Sequence, residues 1–150
     1  MFVIAGIEVQ KLIKGEDLNT IVSKNPDKLT EEVYMELVRI ALIHEALGKE
    51  FTDWSFHNFI YQAKNGSGVR LKLMDLGGPA DVNYMESLQR RLEKIKQIAH
   101  SAYDKDALID KINALHSRIV CNGRIMTALK QEVLQLLETN RVTPVREIQI

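Results

Sequence analysis

One cysteine, Cys121, stands in 150 residues, so no disulfide can form within the chain, and a reducing, cytoplasmic setting fits best. Charge of one sign is also missing. The 20 Lys and Arg residues offset 20 Asp and Glu, which removes any bulk pull toward nucleic acid or an anionic membrane. No apolar run approaches the roughly 20 residues of a membrane span. The opening Met-Phe-Val-Ile-Ala-Gly-Ile-Glu has no basic stretch, and its apolar run breaks at Glu8, so neither a signal peptide nor a membrane association is expected. No internal repeat and no low-complexity tract is present.

Chemical motifs are equally scarce. The histidines His44, His57, His100 and His116 include no pair at the three- or four-residue spacing of a helical metal site, and there is no HExxH or CxxC. Asn65-Gly66-Ser67-Gly68 lacks the Gly-Lys-Ser/Thr of a phosphate loop and reads as a turn. Cys121 has no evident catalytic partner. No catalytic residue, cofactor or metal site is therefore named. A small enzyme, with its site in the N-terminal half near His44, His57 and the 65–68 loop, is the last of three functional readings.

What is present is mainly helical. Phe2 to Val9 is short and β-branched, and predicts a strand broken at Gly15-Glu16-Asp17. Leu18 to Ser23 predicts a helical turn closed by Asn25-Pro26. Thr30 is placed to cap a long helix with Glu31 and Glu32 in its first turn, where the helix dipole favours acid, and Gly48 is placed to stop it. From Val33 to Leu47 the apolar residues occupy nearly every face, which predicts a buried central helix. Thr52-Asp53-Trp54 predicts a further helix start, with Trp54, Phe56, Phe59, Ile60 and Ala63 as an aromatic face. Val69 to Leu73 alternates apolar and basic residues, as a half-exposed strand does. Leu76-Gly77-Gly78-Pro79 marks a boundary.

Beyond it the pattern turns to heptads. Met85, Leu88, Leu92, Ile95, Ala99 and Ala102 form one a/d series. Leu108, Ile112, Leu115, Ile119, Asn122, Met126, Leu129, Val133 and Leu136 form another, one residue out of phase with the first. The break falls at residues 103–106, where aspartates can cap a new helix. An antiparallel hairpin turning there pairs residues whose numbers sum to 210 or 211; the rival is one helix with a stutter.

The expected fold is thus α+β and mainly α. A small α+β domain over residues 1–78 precedes a long antiparallel helical hairpin with coiled-coil heptads over 79–140. The tail over 141–150 is either a third strand beside the N-terminal one or a frayed end.

Function is read from the unequal arms. Leu129, Val133 and Leu136 find no partner on the first arm, so either the N-terminal half or another copy must cover them. Asn122-Gly123 costs helix stability and implies either a kink or a local break. Asn122, Gly123, Met126, Leu129, Val133 and Leu136 are the candidate interaction residues of a non-enzymatic, self-associating protein-binding module, a small regulator or inhibitor. The partner is a second copy or another protein. The alternative is a nucleic-acid-binding regulator using the basic run Arg90, Arg91, Lys94 and Lys96. Leu47-Gly48-Lys49-Glu50-Phe51-Thr52-Asp53-Trp54 resembles a Leu-Gly, Phe, Trp run in the N-terminal DNA-binding domains of some phage antirepressors. Over those eight residues the resemblance implies a small DNA-binding domain joined to a helical oligomerisation segment. Between Val33 and Phe59 little beyond Arg39 and Lys49 is basic, so nucleic acid is not the favoured partner.

Overall fold

A computed structural model describes residues 2–4, 7–9, 15–48, 56–63, 69–73, 93, 103–146 and 148. The architecture is mainly helical, with a small three-stranded antiparallel sheet and a separate two-stranded hairpin. The N-terminal apolar stretch is two strands rather than one. β1 (Phe2–Ile4) runs antiparallel to β2 (Ile7–Val9), with Ile4 paired to Ile7, so the chain reverses between them.

Gly15 begins the main body. β3 (Glu16–Asp17) pairs with β4 (Phe59–Ala63), which pairs with β5 (Val69–Leu73). Asp17 then caps α1 (Leu18–Lys24), its carboxylate accepting from the Thr20 N–H at 2.8 Å and from the Thr20 hydroxyl at 2.8 Å. Asn25 ends α1 and its side chain accepts from Asp27 N–H, starting a single 3-10 turn at Pro26.

The expected central helix is present as α2 (Glu31–Ala46). Thr30 Oγ1 accepts from the Val33 N–H at 3.3 Å, with Glu31 and Glu32 in the first turn. Gly48 stops it at φ 61°, a left-handed conformation cheap only for glycine, and its N–H reaches the Glu45 carbonyl at 3.1 Å. Val33, Tyr34, Leu37, Val38, Ala41, Leu42 and Ala46 are buried, because β5, α3 and α4 pack around α2. α3 is Lys105–Ile119 and α4 is Gly123–Thr139. Their buried residues share one core with α1 and α2, continuous across residue 78.

Two expectations are corrected. The helix placed over Trp54 to Ala63 is a 3-10 turn at Phe56–Asn58 followed by β4. The aromatic spacing mimics a helix face, but Phe59-Ile60-Tyr61 is strand-favouring, and β5 offers a complete antiparallel partner from Phe59↔Leu73 to Ala63↔Val69. The second heptad run is two helices, broken at Val120–Asn122, so the local break replaces the kink. Asn122 is the N-cap of α4, accepting from Arg124 N–H at 3.1 Å and Ile125 N–H at 3.2 Å. A side chain that satisfies two orphan amides cannot also act as a polar seam residue. Asn122→Ala is therefore expected to cost about 1 kcal/mol. An unchanged urea midpoint would show the cap makes no net contribution.

The tail, expected as either a strand or a frayed end, lies partly outside the described residues. Among the described residues past 140 there is no strand pairing. α4 ends in a Schellman motif, with Arg141 N–H on the Glu138 carbonyl at 2.9 Å and Val142 N–H on the Leu137 carbonyl at 2.8 Å. Beyond Pro144 the Val145 and Arg146 amides both donate to the Ala46 carbonyl, at 2.7 and 3.0 Å, and Ile148 is buried. The tail thus satisfies a carbonyl that the end of α2 leaves without a helical partner.

Candidate functional site

Two arrangements on α2 carry the polar chemistry of the described core. The first faces α3. Tyr34 and His116 are 82 residues apart and both buried, and the tyrosine hydroxyl shares a hydrogen bond of 3.0 Å with His116 Nδ1. The rings meet edge to face, 83° between planes and 6.4 Å between centroids. Burial holds the Tyr34 hydroxyl neutral well above its ordinary pKa, and the negative charges of Glu93 and Cys121 push the same way. Beside the pair, exposed Arg118 reaches Glu31 at 3.0 Å. A buried hydroxyl–imidazole hydrogen bond across this helix contact holds α2 on α3.

The second arrangement faces α4. Glu32, Glu36, Arg39 and Ile43 repeat at helical spacing along α2, opposite Glu132 and Leu136 on α4. Between them runs an open groove of about 480 Å³. Arg39 spans it: one guanidinium nitrogen meets Glu36 at 2.7 Å and Nε meets Glu132 at 3.0 Å. Partial burial works against the guanidinium charge, but the hydrogen bonds and charges of the two glutamates outweigh it and raise its pKa. Two carboxylates thus engage the guanidinium, and Glu32 lies on the same lining.

The stripe from the heptads meets α2 as well. Met126, Leu129 and Val133 are buried in the common core, so the N-terminal half covers them. Leu136 is not covered: it is 49% exposed and lines the groove, while Leu137 is buried in its place. The cap at Asn122 restarts the helix, and a straight helix drifts off a strict seven-residue repeat. Gly123 is the first residue of α4, with nothing within 4 Å of where a Cβ would stand. Arg90, Arg91, Lys94, Lys96 and the 65–68 loop lie outside the described residues, as does the whole of the first heptad series.

Among the described residues the candidate enzyme positions are not brought together. His44 Nδ1–H donates to the Ile40 carbonyl at 2.8 Å within its own helix, His57 is exposed on the 3-10 turn, and Cys121 is exposed. Among the described residues no three His, Cys, Asp or Glu side chains are grouped to hold a metal ion. No described helix is long and apolar enough to cross a membrane. Sequence reasoning missed both Tyr34–His116 and Arg39–Glu132, because partners 82 and 93 residues apart leave no local pattern. No family model, curated protein or solved structure gives a significant match to the chain.

Proposed function

We propose that the chain is a non-enzymatic protein-interaction module that pairs with a second copy of itself or with another protein through its helical half. One observation carries this reading. Leu136 lies half exposed on the wall of an open groove, beside the partly buried Ile43, where the rest of its stripe is buried. Val142 and Val145, past the end of α4, are also exposed. Apolar surface gathered at one end of a helix pair is what a partner covers.

The antiparallel hairpin belongs to the same reading. In the 210–211 register, residue 93 stands opposite residue 117. Glu93 is helical and half-buried, and its charge acts on Tyr34, the partner of His116. That proximity supports an arm folded back along α3.

Sedimentation velocity over a concentration series tests the proposal. The chain is expected to self-associate, and Leu136→Glu to weaken the association roughly tenfold. The substituted side chain is exposed, so the fold should change by less than about 0.5 kcal/mol. A compact monomer at every concentration, indifferent to the substitution, removes self-association from the proposal.

A further inference from the structure

We infer that the hollow between α1 and β4 binds a small ligand carrying a phosphate on an aromatic body. The inference goes beyond the interaction reading and shares no residue with the α2–α4 groove. The hollow measures about 420 Å³, within the range of small-molecule sites. One wall is the sheet. Tyr61 on β4 stands between Glu16 on β3 and Leu71 on β5 in the cross-strand register. Leu71 is buried and Tyr61 packs partly buried against the core, so the tyrosine is a held surface rather than a free side chain. The other wall is α1, where Ile21 lies three residues from Lys24 and so on the same helix face. Asn25 ends α1, and the 3-10 turn that follows brings Lys28 onto the same lining.

Charge and shape together select the ligand. Lys24, Lys28 and Glu16 are the charged residues of the lining, and all three are exposed. Among the described residues none of the three is held in an ion pair. Two uncommitted ammonium groups therefore stand against one carboxylate. A phosphate monoester carries close to two negative charges near neutral pH and accepts from several donors at once. Asn25 spends its carboxamide oxygen on the Asp27 N–H, which leaves its NH2 as a further donor. Tyr61 and Ile21 supply the apolar contact that inorganic phosphate would leave unused, and an aromatic body stacks on a tyrosine ring. A cationic ligand would meet two like charges, and a neutral apolar one would gain nothing from the lysines.

The test is isothermal titration calorimetry of the full chain with naphthyl phosphate, naphthol and inorganic phosphate. Naphthyl phosphate is expected to bind with a Kd below about 1 mM, and each of the other two at least about tenfold more weakly. Its advantage over naphthol should shrink as salt is raised. The double variant Lys24→Gln/Lys28→Gln is expected to bring naphthyl phosphate down to the level of naphthol. Both lysines are exposed, so the melting temperature should hold. Glu16→Gln removes the one opposing charge and is expected to tighten naphthyl phosphate about threefold. No saturable binding of naphthyl phosphate overturns the inference. So does equal binding of naphthol or of inorganic phosphate, or an affinity that the double variant leaves unchanged. Should the double variant melt early, Glu16→Gln decides instead, and an affinity it does not raise overturns the inference. Self-association is read separately by sedimentation, so the interaction reading stands or falls on its own.

Discussion

Gly15→Ala is expected to cost about 3 kcal/mol or more, lowering the melting temperature by roughly 6–12 °C, while Gly123→Ala is expected to be neutral or mildly stabilising. The two glycines differ in what surrounds them. Gly15 has φ 139°, which an L side chain rarely adopts, and an added Cβ would stand 2.6 Å from the Tyr61 carbonyl oxygen and 2.7 Å from Ile60 Cγ2. The nearer obstacle is backbone in β4, paired on one side to β3 and on the other to β5. It can move only by disturbing the sheet. Gly123 sits in the first turn of α4 with open space around it, so alanine there lowers the entropy of the unfolded chain at no steric cost. Thermal denaturation of the two variants decides it. A drop of the same size at both positions would mean that neither local geometry governs the outcome.

The legibility of this fold follows the range of its interactions. Thr30, Glu31, Glu32 and Gly48 bracket α2 because capping involves residues three or four apart. Asp104 likewise marks the start of α3, accepting from the Ala107 N–H. The apolar girdle of α2 also announced that packed elements surround it, without naming them. β4 was misread because its identity depends on β5, and on β3 more than forty residues earlier. Asn122 was misread for the opposite reason: a regular heptad count ran straight through a cap whose signal is only two or three residues long. The candidate site was legible in part. Heptad counting singled out Leu136, but Arg39, Glu36 and Glu132 became a groove only when α2 and α4 met. Charged residues on helix faces look alike in sequence whether they edge a trough or face bulk water.

Tyr34 supplies the test of how the two halves hold together, since its hydroxyl meets His116 across the α2–α3 contact. Tyr34→Phe removes that hydrogen bond and is expected to cost about 1–2 kcal/mol near neutral pH. The same substitution should become an advantage in alkali. Burial first, then Glu93 and Cys121, raise the folded-state pKa of Tyr34 above its ordinary 10.0. Below pH 10 the group is neutral in both states and its contribution is complete. Above pH 10 the unfolded chain ionises Tyr34 and the folded chain does not, so wild-type stability falls by about 1.4 kcal/mol per pH unit until the folded state ionises too. Phenylalanine has no proton to lose. Whatever else changes with pH is common to both proteins and cancels in the difference. The two stability curves, measured by urea denaturation from pH 8 to pH 11.5, should therefore converge above pH 10 and cross near pH 11, on the order of one unit past the unfolded pKa. Curves that stay parallel would show that Tyr34 is not shielded from ionisation. His116→Leu supplies the converse, leaving the Tyr34 hydroxyl buried without this partner at a cost of about 1–3 kcal/mol. The double variant Tyr34→Phe/His116→Leu should cost less than the two single substitutions added, because it removes both ends of one hydrogen bond and strands neither.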